Sequence, residues 1–497
     1  MSVEQLSTVP GPQPTPGFFG PSWPEPDPPA PAAVFGAVAA AGVGAAASVP
    51  LDRTGVGWAL TGLVMVLGLR WVAASRPAGP SGRAGRTAWA LAAVALLAVG
   101  AVRDAGWLFV LCLLASVVAG ALAVVGPRTV PGMVGSLLVQ PVAVIRALPW
   151  ARRGLAAPRT RRAGSARLGA ALGVSLALLI VFGSLFAAAD AAFAELTDVV
   201  TPAVSTLFRW AFLFLAVGAA TLGAAYLLLA PPNLDDTAVG ERRTVHRLEW
   251  AVPIALLDLL FAAFVAVQLA VLFGGPRYVL RTTGLTFAEY ARRGFWQLLI
   301  VTVLTLAVLA AVGRWAPRTT VTDRIWVRVL LGTLATLTLV ILASAVYRMV
   351  VYMQAYGFTQ LRVFVIAVEL ALGVVFVLVL AAGVRLRGGW LPQAVVATGV
   401  AMLLGLAVLN PDRFVADRNI DRFERGERLD VPYLRELSAD AVPALYRLPE
   451  ELRNCALRDA ETRLAEPEGW QAWNLGRTEA RRAISAHPPV GYCQDTG

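Results

Sequence analysis

The chain is built from apolar blocks of about twenty residues separated by short, arginine-bearing connections, and this spacing leaves few folds open. Twenty helical residues rise ~30 Å, the thickness of a bilayer's hydrocarbon core. In that solvent every backbone polar group has to be satisfied internally, so a spanning segment is either a helix or part of a closed barrel, and no alternating strand pattern is present. Blocks fall at 54–74, 87–103, 105–125, 168–189, 207–230, 250–273, 295–313, 327–347, 361–384 and 394–410. An eleventh, 33–50, is made of Ala, Gly and Val with few large side chains. The expected fold is all-α: a polytopic transmembrane helical bundle of about 11 spans, over residues 31–410, with a small C-terminal soluble helical unit over 411–497. Residues 1–30 are proline-rich and free of arginine, lack the charged start of a signal peptide, and read as a disordered cytoplasmic tail.

Charge supplies an orientation. The net charge of +11 comes entirely from arginine, lysine being absent, as in chains from GC-rich bacterial genomes. The arginines gather in connections between apolar blocks, which argues for membrane topology and against nucleic acid as a partner. Arg70, Arg76, Arg83 and Arg86 fill one connection, and Arg152, Arg153, Arg159, Arg161, Arg162 and Arg167 another, neither containing an acid. Both are expected on the cytoplasmic side of a bacterial plasma membrane, with the N-terminus inside and the C-terminus outside. Arg277, Arg281, Arg292 and Arg293 fall in an outward connection and run against the rule. The stretch 131–150 is apolar but broken by Pro141 and Arg146, and a span there would force the second arginine cluster outside. It reads instead as interfacial or re-entrant.

From Asn410 the composition turns charged. "NPDRFVADRNIDRFERG" has the pattern of a helix with Asn410 as N-cap, Pro411 at its first position and Gly426 as stop, and Glu424 and Arg428 as a weak pair. A second helix is expected from Pro449 and a third carrying Trp470 and Trp473.

Common catalytic signatures are missing: there are two histidines, His246 and His487, with no HExxH, paired CxxC or P-loop. No cofactor is expected. "AGVGAAA" at 41–47 suits close helix packing better than phosphate binding. Cys112 reads as an apolar filler, while Cys455 and Cys493 fall in the C-terminal unit, where an oxidising compartment permits either a disulfide or two unrelated thiols.

Ionisable residues inside spans are expensive and tend to face a partner or a cavity. Asp258 and Glu369 are the clear cases, each as compatible with a buried structural contact as with solute handling. The stretch "YRMVVYMQAYGFTQLR" (347–362) joins two spans as a tight hairpin. Arg348, Tyr352 and Tyr356 recur on one helix face, Gly357 is the stop, Thr359 caps the returning helix, and Arg362 and Glu369 follow seven residues apart. Arg348 and Glu369 lie at matching depths of roughly 13 and 15 Å below the turn. That places Arg348, Tyr352, Tyr356, Arg362, Glu369 and Asp258 as a candidate intramembrane polar cluster in which Arg348 and Glu369 neutralise one another.

Several segments in order, "FAEYARRGFWQLL" (287–299), the hairpin, "LNPDRFVADRN" (409–419), "LSADAVPAL" (437–445) and "GWQAWNLGR" (469–477), resemble an uncharacterised group of bacterial polytopic membrane proteins, domain of unknown function family 4173. The resemblance covers the C-terminal half and implies an integral membrane protein with a charged tail, without an activity. The functional expectation is a non-enzymatic transporter-like or sensory envelope protein whose partners are membrane lipids and an unidentified solute or protein. The alternative is a glycosyltransferase-like enzyme acting on lipid-linked substrates at the outer face.

Overall fold

The structure, a computed structural model, describes residues 23, 26–74, 83–127, 129–156, 175, 186, 204–232, 234, 246–283, 295–317, 319–386 and 388–489. Among them ten helices are long and apolar enough to cross a membrane, and no strand occurs. The protein is a polytopic helical bundle. In chain order the helices of the bundle are α1 (Ala32–Ser48), α2 (Val56–Ala74), α3 (Arg83–Val102), α4 (Gly106–Val124), α5 (Val130–Ala156), α6 (Val204–Leu229), α7 (Arg247–Thr283), α8 (Phe295–Trp315), α9 (Val321–Tyr356), α10 (Gln360–Arg385) and α11 (Leu391–Leu409). The expected span 168–189 lies outside the described residues apart from 175 and 186.

Small residues let α1, α2 and α6 pack closely. A Cβ added at Gly42 would meet the Phe214 ring at 2.8 Å, and one at Gly68 would meet Ala37 at 3.0 Å. The glycines of 41–47 therefore serve helix contact. The eleventh block is the 17-residue α1, shorter than the ten.

Residues after α11 form a cap on one end of the bundle, built from α12 (Pro411–Glu424), α13 (Val431–Arg435), α14 (Val442–Leu445), α15 (Glu450–Ala465) and α16 (Leu475–Ala486). Asn410 caps α12 through Arg413 N–H, and Gly426 ends the turn beyond it at φ 90°. Two details differ from expectation. Trp470 sits in a single 3₁₀ turn, Trp470–Ala472, and the last helix starts two residues after Trp473, with Asn474 as its N-cap. Pro467 and Gly469 break the run before it can be helical. Glu424 pairs with Arg447, at 3.0 Å, rather than with Arg428.

One hydrophobic core runs without interruption from the bundle into the cap. It joins Leu96, Leu108, Leu403 and Leu406 to Val415, Ile420, Leu434, Leu445 and Leu457. A second core gathers the ends of α1, α2, α4 and α6 farthest from the cap around Val139 and Trp150 of α5. The third lies among α7, α8, α9 and α10.

The segment 131–150 is part of one continuous helix, so it is not the broken hairpin a re-entrant segment would form. Both ends of α5 nevertheless sit at the same end of the bundle. It begins six residues after α4 ends, just beyond Pro127, whose carbonyl accepts a hydrogen bond from Gln393 at the start of α11. Near its other end Trp150 donates to Pro28 O, and Gly154 abuts Ala30, both immediately before α1. The last part of the expected disordered tail is thus packed: Trp23 is buried and donates to Ala230 O at the end of α6. Residues 1–22 lie outside the described set.

Candidate functional site

The sequence-derived cluster divides in the structure. Gly357 ends α9 at φ 87°, and the Thr359 side chain accepts Arg362 N–H to start α10. Tyr352, Tyr356 and Arg362 do meet. The tyrosine rings are 4.9 Å apart, the Arg362 guanidinium lies 4.6 Å over Tyr352, and it donates to Gly357 O at 2.5 Å, a cation on the exposed carbonyls that end α9.

Arg348 does not pair with Glu369. It is buried against α7, where it and Ser344 donate to Gln268 Oε1. Equal depth is not equal azimuth. Leu342 is the α9 residue facing Gly373 of α10, and six residues at 100° each carry Arg348 about 120° away from that line. Glu369, 1% exposed, keeps an unpartnered carboxylate oxygen. Asp258 is buried on α7 with both oxygens unpartnered. The six residues therefore form one surface trio, one Arg–Gln contact and two isolated carboxyls.

The dense polar centre lies elsewhere, where the cap meets the helix ends. Loop 103–105, between α3 and α4, braces the cap reciprocally: Asp104 N–H donates to Asp440 Oδ2 at 2.7 Å, and Ala439 N–H donates to Asp104 Oδ2 at 3.2 Å. Arg103 donates to Ala407 O at 2.6 Å, a cation at the carbonyl end of α11. Asp412, fully buried in the first turn of α12, accepts from Gln360 Nε2 at 2.9 Å, Ser438 N–H at 3.1 Å and Trp107 Nε1 at 3.5 Å. Asn419 brackets the backbone of Phe358 with two hydrogen bonds, and Arg422 donates to Gln354 O and Ala355 O at the end of α9.

Arg477, 4% exposed, is the hub. It donates to Asp104 Oδ1, Ala472 O and, at 2.7 Å, Thr54 O, while its Nε lies 2.7 Å from Glu468. Glu468 also pairs with Arg53 at 3.1 Å and Arg481 at 2.9 Å. Burial alone would raise its pKa, but the hydrogen bond from Arg481 and the charges of Arg477 and Arg481 outweigh that and hold the carboxyl below its usual range. Asp440 is the opposite case. Burial raises it to about 6, opposed by the Asp104 hydrogen bond and reinforced by the charges of Asp104 and Asp412.

Asp104, Asp412, Arg477 and their neighbours line a cleft of about 520 Å³. Asp104, Trp107, Gln360, Asp412 and Arg477 form its floor; Asp52, Glu436 and Arg463 stand exposed at its mouth. Sequence reading missed the floor because its members are separated by up to 373 positions. The available signal was Arg103–Asp104, a charged break between two apolar blocks too close together to leave it in a free loop. Among the described residues no group of acids, histidines and cysteines has metal-site geometry.

Of the three cysteines, Cys112 is buried and free, and Cys455 is disulfide-bonded. Cys493 lies outside the described residues.

A family profile described as Domain of unknown function (DUF4153) matches residues 91–448. This is a different family number from the 4173 expected from the motifs, and the match begins well inside the N-terminal half while stopping short of "GWQAWNLGR". No curated protein and no solved structure matches the chain.

Proposed function

The chain belongs to the DUF4153 family, which assigns no activity, and on that premise we propose that it is a non-enzymatic transporter-like or sensory protein of the plasma membrane that binds a small polar ligand in the cleft between cap and helix ends. The observation that carries this reading is the cleft itself. Its volume falls in the range of small-molecule sites, and it presents an indole, an amide and charges of both signs, a lining suited to a zwitterionic solute. Charge bias among the connections supports an outward-facing cap, which would put the mouth at the outer headgroup level.

Binding is favoured over catalysis by the state of the floor. A general acid or base has to reach its substrate, yet Asp104 and Asp412 spend both oxygens on protein donors. Glu436 and Arg463 are exposed at the mouth, and Arg463 gives one of its five donors to Leu437 O at 3.0 Å. Glu436→Ala with Arg463→Ala in the full-length protein is therefore expected to fold with an unchanged melting temperature and to fail to restore the uptake or envelope-stress phenotype of a deletion strain. Full restoration by this double variant would refute the cleft as the functional site.

A further inference from the structure

An arginine on an apolar helix has to find a partner or reach the interface. Arg209 is the sixth residue of α6, ~8 Å from its cap-side start. Among the described residues none pairs with it, and its Nε is buried without a hydrogen-bond partner.

Arg209 lines a second cleft of about 310 Å³, bounded by loop 50–53 between α1 and α2 and by the cap turn 466–472. That volume is at the small end of the range of ligand sites. The other charged lining groups are Asp52, Arg53, Glu466 and Glu468. Arg53 is spent: it pairs with Glu466 and, at 3.1 Å, with Glu468, and its Nε lies 3.9 Å from Asp52. Glu468 is closed by Arg477 and Arg481 as well. The groups left with capacity are one cation, Arg209, and two carboxylates whose side chains are 70% and 66% exposed, Asp52 and Glu466.

The surroundings are those of a bilayer interface. Phe208, Phe212 and Leu215 are exposed on one stripe of α6, starting beside Arg209 and running away from the cap. Trp470, between the lining residues Gly469 and Gln471, and Trp473 are exposed on a turn fastened to the start of α2, where Val56 N–H donates to Trp473 O at 3.0 Å. Indoles favour the headgroup level.

We propose that this second cleft holds an amine-bearing phospholipid, phosphatidylethanolamine, in the cap-side leaflet: Arg209 takes the phosphate, Asp52 and Glu466 take the ammonium, and the acyl chains lie along the α6 stripe. A guanidinium fork matches phosphate oxygens, and a primary ammonium donates three hydrogen bonds where the quaternary ammonium of choline donates none. The preference rests on these three side chains and not on the net charge of the region, so it is independent of Asp190, Glu195 and Asp198 in the sequence before α6. The two clefts share Asp52 and Arg53 as lining, but Arg209 belongs to this one alone, so either reading stands without the other.

The test uses full-length protein in bilayer discs of equal phosphatidylethanolamine, phosphatidylcholine and phosphatidylglycerol, with retained lipid read by native mass spectrometry. Wild type is expected to retain phosphatidylethanolamine preferentially. Arg209→Gln should lower that retention by at least about tenfold, and Asp52→Asn should cut the preference over phosphatidylcholine by about fivefold. Arg413→Gln with Arg418→Gln, exposed arginines elsewhere on the cap, is expected to keep both. Soluble glycerophosphoethanolamine should not compete, since it lacks the acyl chains. Matched melting temperatures in phosphatidylcholine discs exclude unfolding as the cause of a loss, and Asp52→Asn, at an exposed side chain, carries the test alone where Arg209→Gln does not fold. Equal retention of the three lipids by wild type, preference for phosphatidylglycerol, unchanged retention in these variants, or displacement by glycerophosphoethanolamine would overturn the proposal.

Discussion

Replacing Arg477 with methionine removes the hub of the cap junction, and the structure sets the size of the effect. The guanidinium is buried and is the charge partner of Asp104, whose carboxylate would keep only the Ala439 N–H. Thr54 O and Ala472 O would lose a charged donor as well. Glu468 suffers less, because Arg53 and Arg481 remain. Breaking one side of a buried pair costs about 3–5 kcal/mol. The comparison is Arg447→Met, which removes contacts to Asp417, Asp421 and Glu424 but from a side chain 39% exposed. Three surface bridges of that kind are worth about 1 kcal/mol or less in total once solvent screening is counted. Limited proteolysis of the cap in detergent reads the difference: at tenfold per 1.4 kcal/mol, cleavage of the Arg477 variant should rise by roughly two to three and a half orders of magnitude, and that of the Arg447 variant by less than about tenfold. Equal sensitivity of the two variants would refute the argument that burial, rather than the number of ion pairs, fixes the cap.

Three further outcomes follow from the same geometry. Because the Asp440 carboxyl is raised to about 6 in the folded protein, its contribution is fully present below the ordinary aspartate value near ~4 and is lost as pH rises through about 6. Cap stability should fall across that window, and Asp440→Asn should flatten the profile; an identical slope in the variant would contradict the assignment. In double-mutant cycles on thermal stability, Arg348 should couple to Gln268 by about 0.5–3 kcal/mol and be additive with Glu369 within about 0.5 kcal/mol, and the reverse pattern would restore the Arg348–Glu369 pair. Gly57→Ala would place a Cβ 1.5 Å from Ser48 O, a backbone atom that cannot step aside, so expression of folded protein should drop sharply, whereas Gly85→Ala, with open space around it, should be silent.

The sequence was legible where local chemistry decides. The apolar blocks within the described residues became helices, Thr359 and Asn410 became caps, and Gly357 and Gly426 took the positive-φ conformations their positions required. It was legible in depth but not in direction for Arg348, since rise along a helix follows from residue count while azimuth depends on which neighbours it packs against. The cleft could not be read at all, because Asp104, Asp412 and Arg477 belong to three elements that only the docking of the cap brings together. Trp470 and Trp473 illustrate the same limit at short range: their spacing suited a helix, and Pro467 and Gly469 overrode it.

The central claim is that the cleft between cap and helix ends holds a polar ligand, and the most direct measurement is an electron cryomicroscopy map of the full-length protein taken from its native membrane. The account predicts non-protein density against Trp107, Gln360 and Arg463, lost in the Glu436→Ala, Arg463→Ala variant while the cap stays in place. A cleft closed by its own side chains, or one holding ordered solvent alone in the wild-type protein, would contradict it.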